Sequence, residues 1–139
     1  MANAIHRRGL SNLIKVESAG THVSRQGVRP DPRAQDVSKR NGINIKKLKS
    51  RMIESSIFHS YDYIVGMDYQ NIRTLEAACP QEHLGKIGLI MDYAPQFGLR
   101  ELPDPYFGNI SGFERVMEIL EPACEGLLKH ICQQHDVAC

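Results

Sequence analysis

No stretch of 18 or more consecutive apolar residues occurs anywhere in the 139-residue chain, so no segment is expected to cross a membrane as a helix. A large charge imbalance is missing as well. Lys and Arg total 17 against 16 Asp and Glu, which supplies no overall field for nucleic acid. No apolar segment follows the basic pair Arg7-Arg8, as a secretory signal would require, and a cytoplasmic setting is the expectation. The four cysteines, Cys79, Cys124, Cys132 and Cys139, lack the regular spacing of a disulfide framework and are expected to be reduced thiols. Together with His130 and His135 three of them crowd the C-terminal region, but without a Cys-x2-Cys pair they predict no metal site.

Linkers, low-complexity segments and fixed-period repeats are also absent, and a chain of this length suits one compact domain over 1–139. What is present is an alternation of short apolar runs with helical patterns, the mark of an α/β fold. Buried strands are expected at Leu13–Glu17, Tyr63–Met67 and Ile87–Met91. Asp31 before Pro32 predicts a capped helix start, and Asn41-Gly42 its stop. Asp68 predicts the cap of a helix carrying Ile72, Leu75 and Ala78. A long helix is expected from a capping box at Ser111–Glu114, with Phe113, Val116, Met117, Leu120, Cys124, Leu127, Leu128 and Ile131 as its apolar stripe and a kink at Pro122.

Four segments in order carry a family resemblance: Ser18-Ala19-Gly20-Thr21; Gly27 through Ala34; Tyr61 through Asp68; and Leu102-Pro103-Asp104-Pro105-Tyr106-Phe107-Gly108. With them, and with an opening Met1–Ala4 similar to the start of the family's first helix, the chain resembles the low-molecular-weight protein tyrosine phosphatases. The resemblance implies a three-layer α/β/α fold on a short parallel sheet of order 2-1-3-4. It also implies hydrolysis of phosphotyrosine or small aryl phosphates through a cysteinyl-phosphate, with no metal or organic cofactor. Asp104 matches the family's general acid, and Tyr106 and Phe107 match the aromatic pair that walls the substrate ring. The prolines on either side of Asp104 restrict the backbone around its carboxyl.

The family's nucleophile sits in a Cys-x5-Arg-Ser/Thr loop whose amide groups bind the phosphate and lower the thiol pKa. Six residues after Cys79 stands Gly85, after Cys124 His130, and after Cys132 Ala138, so no cysteine here fits that loop. The expectation is a domain incomplete at its N-terminus, without the family's central first strand and inactive alone. The alternative is a non-enzymatic pseudophosphatase or fragment that acts by binding a partner. Unpaired strand edges cost roughly 1–3 kcal/mol per buried group, so self-association through the open slot is expected. Where the family's other cleft wall lies, His22–Gln26 offers no aromatic residue, and Arg25 suggests a shift toward acidic ligands. Lys46, Lys47, Lys49 and Arg51 read first as a solvated face.

Overall fold

A computed structural model describes residues 1–104 and 110–139. The sheet is nucleated by two of the expected apolar runs. Strand β1 (Ile64–Gly66) pairs in parallel with β2 (Ile87–Leu89), in the register Ile64 with Ile87 and Gly66 with Leu89. A parallel pair needs a crossover, and helix α4 (Tyr69–Ala78) supplies it. Successive side chains of a strand point to opposite faces, and β1 shows the consequence. Ile64 packs with Phe58 and Leu75 on one side, and Val65 lies against Ile90, Met91, Ala94, Ile119 and Ala123 on the other. The sheet is thus covered on both faces, as a three-layer α/β/α arrangement requires.

The caps form where the sequence places them. Helix α2 (Pro32–Arg40) begins with Asp31 accepting a hydrogen bond from Arg33 N at 2.8 Å, and it stops at Asn41. Asp68 caps α4 in a reciprocal capping box with Asn71. Two further short helices are α1 (Ala2–Arg7), packing on α5 (Ile110–Gln134), and α3 (Ile57–Ser60), whose Phe58 packs on Ile64 of β1.

Several expectations are corrected. Leu13–Glu17 is not a strand: residues 14–19 are irregular, and only Gly20 forms an isolated parallel bridge, to Met52. A strand exists only where a neighbour completes its hydrogen-bond ladder, and none of the described residues does so here; Leu13 is 68% exposed and Val16 40%. Ile90 and Met91 leave the third predicted strand for a 3-10 turn, Ile90–Tyr93. Helix α5 includes Ile110, so Ser111 lies within its first turn rather than at the cap. It continues through Pro122; Phe113, Leu127 and Leu128 of the predicted stripe are buried and Leu120 and Ile131 pack on the core, while the buried Ile119, Ala123 and Cys132 lie outside that stripe. The cysteines are not all reduced. Cys132 and Cys139 form a disulfide, while Cys79 and Cys124 are free.

Irregular segment 14–19 is moored by charge instead of by a ladder. Glu17 accepts a hydrogen bond from the Tyr61 hydroxyl and pairs with Arg51 at 3.1 Å and Lys15 at 3.4 Å. The Tyr61 hydroxyl first, then Arg51 and Lys15, lower its pKa from the ordinary 4.5 to about 2. A carboxylate whose folded pKa is depressed contributes stability above its unfolded pKa and loses that contribution as pH falls through the folded value. Tyr61→Phe is therefore expected to make the loss of stability between pH 4.5 and pH 2 shallower than in the parent, as read by urea unfolding across that window.

Candidate active site

In an open α/β sheet, ligands bind beyond the carboxyl ends of the strands. At this end of β1 three separate parts of the chain are tied together. β1 closes on Gly66, where a Cβ would stand 3.0 Å from Ile72 Cδ1 and 3.1 Å from Asn71 Cβ, so the absence of a side chain lets the first turn of α4 come close. Asn71 then becomes the hub. Its Oδ1 accepts from Met67 N at 3.0 Å and Asp68 N at 3.3 Å, while its Nδ2 donates to Thr21 Oγ1 at 2.8 Å. Thr21 is buried, 9% exposed, and its hydroxyl also meets His22 Nδ1 at 3.1 Å. The Ser18–Thr21 segment is thereby fixed beside β1 despite having no strand of its own.

The segment that carries Asp104 arrives from the other side. Leu102 N donates to Met67 O at 2.9 Å, and Tyr69 N donates to Glu101 Oε1 at 2.9 Å. Leu102 also packs on the core beneath α5. Asp104, exposed, thus stands two residues beyond a backbone anchor at the carboxyl end of β1. Tyr106 and Phe107, assigned from sequence to the substrate wall, lie outside the described residues. Arg25 is exposed and belongs to a loop that leaves Thr21. Among the described residues no group of three or more His, Cys, Asp or Glu side chains could hold a metal ion.

The C-terminal thiol and imidazole group resolves into other contacts. Cys132 and Cys139 bond to each other. His135 Nε2 lies 3.0 Å from the Tyr63 hydroxyl, and His130 sits against the rings of Tyr63 and Tyr93.

Sequence reasoning matched Ser18–Thr21 and Asp68 without seeing that Asn71 joins them. The spacing of Asp68 and Asn71, three apart at a helix start, was the available signal, because it places an amide at the position that can close a capping box.

Comparison with known proteins agrees with this geometry. The model of the family described as low molecular weight phosphotyrosine protein phosphatase matches residues 1–137. A low molecular weight protein-tyrosine-phosphatase of Bacillus subtilis is 33% identical over 137 residues, covering 94% of this chain and 86% of the relative. The low molecular weight phosphotyrosine protein phosphatase of Homo sapiens is 35% identical over 136 residues, with 93% and 85% covered. Among solved structures, a protein tyrosine phosphatase from Entamoeba histolytica superposes with a TM-score of 0.88 at 35% identity, over 96% of this chain and 84% of that one. The fold and these matches place the chain in the α/β class. It belongs to the low molecular weight phosphotyrosine protein phosphatases. No helix among the described residues is long and apolar enough to cross a membrane.

Proposed function

We propose that residues 1–139 form a single domain that provides the acid and substrate-wall half of a phosphotyrosine phosphatase site and is inactive without a nucleophile and phosphate cradle from outside these positions. The observation that carries this reading is the pairing of Asp104, two residues beyond the Leu102 anchor, with the lack of any Cys-x5-Arg in the sequence. Asp104 acts as general acid: when a thiolate attacks phosphorus and the P–O bond to the aryl group breaks, its proton goes to the leaving phenolate. Tyr106 and Phe107 bind the aryl ring. The substrates are phosphotyrosine proteins or small aryl phosphates, met in the cytoplasm. No metal or organic cofactor enters this chemistry.

The test is turnover of para-nitrophenyl phosphate. The purified 139-residue chain is expected to show none above the uncatalysed rate. Cysteine-dependent turnover that Asp104→Asn reduces would refute the reading outright. Extending the chain with an N-terminal strand and a Cys-x5-Arg-Ser/Thr loop separates the enzymatic reading from a purely binding role, since only the former predicts that activity then appears and falls in Asp104→Asn.

Self-association belongs to the same proposal. The edge of β1 opposite β2 has no partner strand among the described residues, and Leu13 and Val16 are exposed beside an irregular segment. A second copy that lends a strand would satisfy that edge. Light scattering is expected to give a mass above 15.7 kDa that rises with concentration; a monomer at all concentrations would overturn it.

A further inference from the structure

The near-neutral total charge conceals a segregation. Between Lys15 and Arg51 ten Lys and Arg face three carboxylates, whereas the rest of the chain holds seven cations and thirteen carboxylates. The three carboxylates of the basic stretch are already engaged: Glu17 with Lys15 and Arg51, Asp31 with Arg33, and Asp36 with Arg40. Arg25, Arg29, Lys46, Lys47 and Lys49 are all exposed and have no carboxylate partner among the described residues.

These five cations do not sit on independent loops. Gly27 N donates to Ser50 O and Ser50 N to Val28 O, each at 2.7 Å. The Ser50 hydroxyl accepts from Val28 N at 3.0 Å and donates to Arg25 O at 2.7 Å. The guanidinium of Arg29 reaches across to Lys46 O at 3.0 Å. The result is a laced double loop that holds like charges side by side, with Val28 and Leu48 exposed among them at 45% and 54%. Holding five cations together without carboxylates costs electrostatic energy that a solvated face would relieve by interspersing opposite charges, so the arrangement calls for an anionic partner.

The double loop is rooted at the candidate site. One side leaves Thr21, which Asn71 fixes at the end of β1. The other side returns to the same place, since Gly20 N donates to Arg51 O at 2.8 Å and Ile53 N to Gly20 O at 3.0 Å. Both roots of the double loop are therefore tied to the segment that Asn71 holds at the end of β1.

We propose that Arg25, Arg29, Lys46, Lys47 and Lys49 form a docking surface for an acidic polypeptide segment flanking the tyrosine of the substrate, with Val28 and Leu48 as apolar contacts. This rests on the phosphotyrosine-protein reading above for the identity of the partner, but its test needs neither catalysis nor a phosphate group. Such a surface raises encounter rates and is weakened by salt.

Fluorescence anisotropy of the 139-residue chain with a labelled dodecapeptide rich in Glu and Asp around an unphosphorylated tyrosine reads it directly. Binding is expected to fall at least tenfold in Lys46→Gln/Lys47→Gln/Lys49→Gln, and similarly in Arg25→Gln/Arg29→Gln. It is expected to weaken steeply between low and physiological salt, and to be unchanged in Arg115→Gln/Lys129→Gln, cations of α5 outside the double loop. Circular dichroism establishes that each variant is folded. Equal affinity for the peptide with every Glu and Asp replaced by Gln or Asn would overturn the proposal, as would full affinity in the folded triple variant. Binding of phosphatidylserine vesicles or single-stranded DNA without binding of the acidic peptide would also overturn it, by assigning the surface to another partner. Failure of peptide binding leaves the phosphatase reading intact, and failure of turnover in the extended chain leaves the docking surface intact.

Discussion

Gly126→Ala is expected to destabilise the fold by about 3 kcal/mol or more, at the upper end of what overpacking a core costs. Gly126 lies within α5, where alanine is ordinarily the better helix former by about 1 kcal/mol. Here a Cβ would stand 2.0 Å from Tyr93 O and 3.1 Å from Tyr93 C. The obstacle is backbone, so no side-chain rotation relieves it. Either α5 moves off the Ile90–Tyr93 turn or that turn moves off β2, and both motions open the cluster of Ile90, Met91, Ala94, Ile119 and Ala123. Against a typical total of about 5–15 kcal/mol, the change is a large fraction of the stability. It should lower the midpoint of thermal unfolding by roughly 10 °C for a chain of this size. A variant as stable as the parent would mean that α5 and the Tyr93 turn are not in backbone contact. Gly85→Ala, at a position where a Cβ meets nothing within 4 Å, is the control and should change stability little.

That contact could not be read from the sequence, and the reason is general. Features decided within a few residues were legible. Asp31-Pro32 and Asp68 start their helices because a cap needs only an acceptor beside two or three amide groups, and the apolar runs around Val65 and Gly88 give β1 and β2. Features decided by distant partners were not. Leu13–Glu17 has the pattern of a buried strand but no ladder neighbour among the described residues, so it stays irregular, with Leu13 and Val16 exposed and only Ile14 packed on the cluster under α1. The predicted stripe of α5 holds the buried Phe113, Leu127 and Leu128 but leaves out Ile119 and Ala123, fully buried, because the Ile90–Tyr93 turn covers a part of the helix that period alone does not assign. Cys132 and Cys139 pair because the chain turns back after Gln134 and Val137 packs beside Cys132, which spacing alone does not reveal.

The candidate site divides in the same way. Asp104 was found because its neighbours in sequence form a motif. The residue that assembles the site, Asn71, works across a separation of 50 residues to Thr21 and was missed. Its importance makes the second large prediction. Asn71→Ala removes the acceptor of the Met67 and Asp68 N–H groups, half of the α4 capping box, and the donor to a buried hydroxyl. Loss of a cap costs about 0.5–2 kcal/mol, and a buried group left unsatisfied a further 1–3 kcal/mol. The expected sum is about 2–4 kcal/mol by urea unfolding. Thr21→Val, close in shape but without the hydroxyl, should cost about 1–2 kcal/mol, since it strands the Asn71 Nδ2 group and removes the partner of the exposed His22 Nδ1. Because the two residues share one bond, their double variant should be less destabilised than the sum of the singles, by about 1 kcal/mol. A second readout separates tethering from general weakening. Thr21 is where the Arg25-bearing loop is held at the end of β1, so trypsin should cut after Arg25 faster in both single variants than in a variant of equal stability altered at Leu128, which lies in the cluster under α1. Equal cutting in all three would show that the loop is held by its bonds to the Lys46–Ile53 side without Thr21, and that Asn71 stabilises α4 without organising the site.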